Sequence, residues 1–249
     1  LAHKIFTEVI QICDYGIDLH SASSWRTNYP NVRADMTHPE VRKLARGFGL
    51  ELIISRVGPE KCLRRCAVKK GVPVINLEAG ETWKIEPGAV RAGVRGCLNT
   101  LKSLGMIEGK PEKPLFQITV KKTHWSRARR GGFLFFHIKP GDLVEPGQEL
   151  ATVSNIFGRE RDVLTAEKHA FVMGVTTMPA VKPGEPVCHL AHMPEEIFAK
   201  IRRKIKMSTS MSDFRRTRRE LSTSIQVQQS GFGQNNKTGE NETQAEISK

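Results

Sequence analysis

Residues 2–105 alternate segments of helical and of strand periodicity, and this alternation restricts the fold more than any other feature of the sequence. Residues 2–13 put Ile5, Phe6, Val9, Ile10 and Cys13 on one helical face. The run Tyr15-Gly16-Ile17-Asp18-Leu19 reads as a buried strand that ends on the polar His20. Residues 38–48 read as a helix with Pro39 in its first turn, where a missing N–H breaks no helical bond. Residues 50–57 read as a strand and 61–70 as a helix. Val72-Pro73-Val74-Ile75-Asn76-Leu77 is a further strand ending at Glu78, and 87–104 is a helix closed by Gly105. This order predicts an α/β domain around a largely buried mixed sheet. Ligands of such sheets bind beyond the carboxyl ends of the strands, where His20 and Glu78 both stand.

The character changes after residue 112. Short β runs at 115–120, 132–138, 149–153 and 170–176 are separated by the turn signals Pro140-Gly141-Asp142, Pro146-Gly147 and Pro183-Gly184. This spacing predicts a small β-barrel or barrel-sandwich unit over 113–193. From Pro194 the chain turns helical and basic, and after Ser222 it becomes rich in Gln, Ser, Asn, Gly and Thr. Such a stretch has too few hydrophobes to offset its ordering entropy and is expected to be disordered. The reading therefore divides the chain into 1–112, 113–193 and 194–249.

The net charge of +13 is unevenly placed: residues 201–220 hold eight Arg or Lys against two acids. Basic patches attract nucleic acid or anionic membrane, but the expected reading here is a solvated basic tail. One Phe, Phe214, among those eight cations gives little support to nucleic-acid recognition by base stacking. No run of about 18 apolar residues exists, so no membrane span is predicted. The first twenty residues hold no secretory signal. Five cysteines without a C-x-x-C pair speak against a disulfide framework and a Cys-rich zinc knuckle, and a cytoplasmic location is expected. The chain begins at Leu1, as a fragment or processed product would.

Two short patterns carry chemistry. In Asp18-Leu19-His20-Ser21-Ala22, a His at a strand end can present a neutral imidazole to a metal, and Asp18 shares its face and can orient it. The bland alternative is a structural His. In Asn76-Leu77-Glu78-Ala79-Gly80-Glu81, a carboxylate leaves a buried strand into small residues that leave room for a substrate and a water, as a general base requires. The bland alternative is a capping or ion-paired Glu.

Together these segments resemble the succinylglutamate desuccinylase/aspartoacylase family, a branch of the zinc carboxypeptidase-like fold. The resemblance rests on Asp14-Tyr15-Gly16-Ile17-Asp18-Leu19-His20, Arg26-Thr27-Asn28-Tyr29-Pro30, Leu63-Arg64-Arg65-Cys66-Ala67 and Leu77-Glu78-Ala79-Gly80-Glu81, in that order, and extends over about residues 2–192. It implies an α/β zinc-hydrolase domain over 1–112, present in its C-terminal part, followed by the β domain of that family. It implies a zinc-dependent deacylase or amidohydrolase, acting on the amide or ester bond of an N-acyl amino acid or similar small carboxylated substrate. By resemblance His20 is the third zinc ligand, with Asp18 behind it, and Glu78 is the general base and proton shuttle. Arg64, with Arg65 adjacent, holds a substrate carboxylate, and Arg26 and Arg33 are further candidates at the cleft rim. The β domain is expected to cap the cleft or to mediate oligomerisation.

The sequence also departs from the family. The other two zinc ligands come from an H-x-x-E motif roughly a hundred residues upstream of the D-L-H histidine, and only nineteen residues precede His20. An N-terminally truncated form of a longer parent is therefore expected, inactive as it stands. His192-Met193-Pro194-Glu195 matches H-x-x-E formally, and Cys188, His189 and His192 are close in sequence, but neither is expected to replace the missing ligands. The stretch from Lys139 to Leu150 resembles the hairpin of biotinyl and lipoyl carrier domains. The tip that follows, Ser154 to Glu160, lacks the lysine that a carrier needs. A non-catalytic module binding nucleic acid or a partner protein through the β domain and basic tail is the alternative reading.

Overall fold

A computed structural model describes residues 1–208 and 213–221. The first elements follow the alternation of the sequence: α1 (Ala2–Glu8), a single 3-10 turn (Ile10–Ile12), β1 (Gly16–His20), β2 (Arg26–Ala34), α2 (Pro39–Gly47), β3 (Leu52–Ser55), α3 (Leu63–Lys69), β4 (Val74–Glu81) and α4 (Pro87–Ser103). Both α2 and α4 start with a proline and end with a basic residue in the last turn, as the helix dipole favours. Val41, Leu44 and Ala45 of α2 and Ala92 of α4 pack with Phe48 on Val32, Ile53, Ile75 and Leu77 of the sheet. That face is apolar, so the polar residues of the same strands lie on the other.

Strand β2 was not foreseen. Pro30 lies inside it, and a proline removes a ladder donor from a central strand. The structure resolves the conflict with a register shift between Asn28 and Asn31 in the pairing with β4, so the proline falls where the ladder is already interrupted. Antiparallel to β4 on one edge, β2 uses its other edge for β3, which runs parallel to it. β1 pairs in parallel with β4. The sheet is therefore mixed, within a mixed α/β fold.

The rest of the described chain comprises β5 (Ile118–Val120), β6 (Thr123–Arg127), β7 (Gly132–Phe136), β8 (Leu143–Val144), β9 (Glu149–Ser154), β10 (Glu160–Thr165), β11 (Ala170–Thr176), β12 (Ala180–Val181), β13 (Pro186–His192), α5 (Glu195–Met207) and α6 (Asp213–Leu221). Hydrogen bonding does not break at residue 112. β5 extends the first sheet from β3, and β11 pairs with β2, β8 and β13 with β11, and β6 with β13, giving nine strands in all. A second sheet, in the order β10-β9-β7-β12, is antiparallel. Its Leu134, Phe136, Leu150, Val153 and Leu164 share one core with Val172, Val187 and Leu190 of the large sheet. Over 113–193, where a small β-barrel or barrel-sandwich unit was expected, the four-stranded sheet packs against β11 and β13 of the large one.

The basic segment is not a free arm over the residues described. Phe214 and Leu221 of α6 are buried with Tyr29, Phe116 and Phe171. The Phe116 and Phe214 rings meet edge to face at 5.2 Å. Arg218 pairs with Asp142, and Arg202 with Glu145. The aromatic ring offered for base stacking is thus inside the core, which leaves the nucleic-acid alternative without support. Residues 222–249, where disorder was expected, lie outside the described residues. Among the described residues no helix is long and apolar enough to cross a membrane.

Helix α4 approaches Phe48 so closely that a Cβ at Gly96 would stand 2.1 Å from the ring. Gly96→Ala should therefore destabilise the fold by about 1–3 kcal/mol through overpacking. The shift in urea midpoint measures this, and an unchanged midpoint would show that Phe48 has room to move.

Candidate active site

Strand register assembles the polar face in two rows. Asp18, Asn76 and Arg33 lie side by side across β1, β4 and β2, and His20, Glu78 and Asn31 form the next row. Residues two apart on a strand share a face, so both rows point to the same side. Asn76 ties the first row together. Its Nδ2 donates to Asp18 Oδ2 at 2.9 Å, and its Oδ1 accepts from Arg64 Nη1 at 2.6 Å. His20 Nε2 lies 2.8 Å from Asp18 Oδ2 and 3.2 Å from Asn76 Nδ2. With Nε2 occupied by Asp18, Nδ1 is the ring nitrogen left for another partner.

Glu78 is held more loosely. Arg33 Nη1 is 3.4 Å from its Oε1, and Asn28 Nδ2 donates to Oε2 at 3.5 Å. The backbone beneath it is fixed by Asn31, whose amide donates to the Glu78 carbonyl at 3.3 Å. A carboxylate with a firm backbone and long side-chain contacts is available to a ligand or a water.

Helix α3 decides between its two arginines. Arg64 is 5% exposed and reaches into the site, whereas Arg65 turns away to the Gly58 carbonyl and Glu60. Burial lowers the pKa of Arg64 from its ordinary value, and the nearby Arg33 charge lowers it further, while Cys62, Glu78 and Asp18 act the other way. Among the described residues no carboxylate bonds Arg64 directly; its partners are the Asn76 amide and the Arg56 carbonyl. The Nε groups of Arg33 and Arg64 are buried without a partner among the described residues. Cationic groups so placed favour an anionic ligand.

Arg26 is directed elsewhere. Its guanidinium lies 4.7 Å above the Trp125 ring, and Trp125 stacks on His189 at 4.4 Å and 9°. Neither Trp125 nor His189 was singled out for this face, because β6 and β13 meet β2 only through the sheet. Burial, then the charges of Arg33, Arg56 and Arg26, push the His189 pKa down to about 3. It is thus a neutral imidazole at neutral pH, within the field of Arg33, Arg56 and Arg26. Asn76 was missed for a simpler reason: an Asn at a buried strand position gives no chemical signal in sequence.

The metal expectation fares differently. Among the described residues no group of three His, Cys, Asp or Glu side chains is disposed to hold a metal ion. His20, oriented by Asp18, has the arrangement of a single ligand, but the described residues do not fit a complete zinc site. The downstream replacements also fail to gather. Cys188 is fully buried in the core while His189 faces Trp125, as neighbours on a strand must. His192 stacks on His124, and Pro194 caps α5 between it and Glu195.

Neither a protein-family model nor a curated protein matches the chain. Solved structures do. The succinylglutamate desuccinylase/aspartoacylase of Rhodobacter sphaeroides superposes with a TM-score of 0.66 at 20% identity, over 78% of this chain and 62% of that one. The ectoine utilization protein EutE (DoeB) of Ruegeria pomeroyi matches in its apo form with a TM-score of 0.67 at 16% identity, over 77% of this chain and 64% of that one. Its product-bound form gives 0.65 and 16%, over 77% and 62%. The chain has the fold of the succinylglutamate desuccinylase/aspartoacylase proteins. The resemblance read from the motifs thus holds at the level of fold, and the chain spans less than two thirds of the length of these structures.

Two outcomes test the face itself. Asn76→Ala leaves the buried Arg64 without its acceptor and should cost about 1–3 kcal/mol in urea denaturation; a neutral result would show that water replaces the amide. His189 gives a pH signature. Between its unfolded pKa of 6.5 and its folded value of about 3, the unfolded chain binds a proton that the folded chain refuses, so stability falls as pH drops through this window. His189→Gln should lessen the loss between about pH 7 and pH 4.5 by up to roughly 2 kcal/mol. An identical pH profile in the variant would show that His189 takes up its proton freely in the folded protein.

Proposed function

We propose that this chain carries the proton-transferring face of a deacylase, a hydrolase of the amide or ester bond of an N-acyl amino acid or similar small carboxylated substrate. The observation that supports this most is the second row of the polar face. Glu78, on β4, stands opposite His20 on β1, with Arg33 Nη1 3.4 Å from its Oε1. The shared fold supports it, as does a bound product in the Ruegeria protein. Because the chain spans only part of those structures, the activity of a whole protein is part of the proposal.

In this reading Glu78 takes a proton from a water as the oxygen attacks the acyl carbon, and returns it to the leaving nitrogen when the carbon–nitrogen bond breaks. Arg33, with its unpartnered buried Nε, binds a substrate carboxylate, and Arg64 stands behind it. Arg26 is assigned to the rim. Zinc enters the proposal through His20 alone: Asp18 holds Nε2, and Nδ1 would be the donor. The described residues do not complete the site, and no step is routed through the metal.

Two measurements on the intact protein test the reading. Glu78→Gln should lower the hydrolysis rate of a panel of N-acyl amino acids by about 10²–10⁴-fold. His20→Ala should lower zinc content by elemental analysis. Retained turnover would remove Glu78 from the reaction, and unchanged zinc would remove His20 from the ligands.

A further inference from the structure

Glu86 stands directly before α4, yet its side chain does not cap that helix. It turns back to β4 instead, where Oε2 accepts from Glu81 N at 2.6 Å. The residue is 8% exposed. It also lies against Gly80, whose φ is +70°, so closely that a Cβ there would stand 2.4 Å from Oε2. Burying a carboxylate is costly unless hydrogen bonds compensate it, and the reaction proposed above gives this one no part.

The ladder shows what the bond is for. β2 and β4 pair at Thr27 with Glu81 and at Asn28 with Gly80, then again at Asn31 with Glu78, and the register shifts in between. Glu78 therefore stands at the edge of an interruption, where the ladder alone does not fix the backbone. The segment beyond it is tied down from three sides. Ala22 N donates to the Gly80 carbonyl at 3.2 Å and Thr82 Oγ1 to the Ala22 carbonyl at 2.8 Å, which joins it to the loop after His20. The Glu81 carboxylate accepts from Thr177 Oγ1 at 2.8 Å and from Lys84 Nζ at 2.6 Å. Glu86 supplies the third tie, from the start of α4.

We infer that Glu86 is a positioning residue for Glu78: by clamping Gly80 and Glu81 to the start of α4, it sets where the Glu78 carboxylate stands relative to His20 and Asn28. This rests on the deacylase reading for the reaction that Glu78 serves. Burial raises the Glu86 pKa, the bond from Glu81 N opposes it, the Glu81 charge adds to the rise and Lys84 lowers it. The surroundings thus disfavour the charge, and what the clamp needs is an acceptor of this reach.

Two variants of the intact protein separate reach from charge. Glu86→Gln keeps an acceptor at the same length, whereas Glu86→Asp keeps the charge and is one methylene too short for Glu81 N. Amide hydrogen exchange over residues 79–82 should quicken about tenfold or more in Glu86→Asp and stay within about threefold of the parent in Glu86→Gln. The NMR resonance of the Glu78 carboxyl carbon at neutral pH should move in Glu86→Asp and coincide with that of the parent in Glu86→Gln. With N-acyl amino acids, kcat should fall roughly tenfold or more in Glu86→Asp at little change in KM, and Glu86→Gln should restore it. A Glu78 resonance that stays in place in Glu86→Asp, or that moves in Glu86→Gln, overturns the inference. So does a kcat that Glu86→Asp leaves unchanged. A parent that hydrolyses none of these substrates, with the resonances as expected, would sink the deacylase reading and leave Glu86 as the residue that places Glu78.

Discussion

Strand β2 bonds to three other strands, and the two parts of the molecule are joined through it. On one edge it carries β4, and with it the row of His20, Glu78 and Asn31. On the other it carries β3 toward its end and β11 at its start. A strand in this position needs an unbroken ladder, yet it contains a proline. The register shift at Asn28 to Asn31 reconciles the two. It also sets which β2 side chains reach the polar face, because a one-residue slip reverses the facing of every residue beyond it. The position of Arg33 beside Asn76, and the contact of Asn28 with Glu78, both follow from that shift.

The polar face concentrates charge in a particular balance. Asp18 and Glu78 supply the acids, and Arg33, Arg56 and Arg64 supply the excess of cations. A buried guanidinium with amide and carbonyl partners but no carboxylate of its own is costly unless something anionic completes it. Arg64 is in that state. Burial first, and then the charges of Arg33, Arg56 and Arg26, keep His189 neutral, so the stack of Arg26, Trp125 and His189 presents one charge and two flat polarizable surfaces.

Much of this was legible in the sequence because periodicity and chemistry agreed. The buried run that ends at Glu78 and the shorter one that ends at His20 form adjacent parallel strands, and α2 and α4 begin at their prolines. Illegibility had specific causes. Pro30 disguised β2 as a loop. Asn76 had no signal, since its importance lies in having two bonding ends of opposite sense at one buried point. Trp125 and His189 come to Arg26 because β11, to which β13 is paired, bonds to β2 from about 150 residues away in sequence, which local patterns do not encode. The basic run after Pro194 was read from its charge, whereas its apolar residues, Phe198, Phe214 and Leu221, fix where it sits.

The pairing of β2 with β11 also has a consequence in time. Arg26 lies opposite Thr176, a separation of 150 residues. A nascent chain has its β1, β2, β3 and β4 long before β11 emerges, at roughly 5–20 residues per second. Until then the start of β2, Arg26 to Asn28, and the turn at Trp25 that Thr176 and Thr177 hold lack their partner on that edge, where only β3 is in place further along. Contacts this distant slow folding and leave a strand edge open to other chains. Pro30, two residues beyond the last residue that pairs with β11, has no N–H to offer and so shortens the run that such an edge presents as a template.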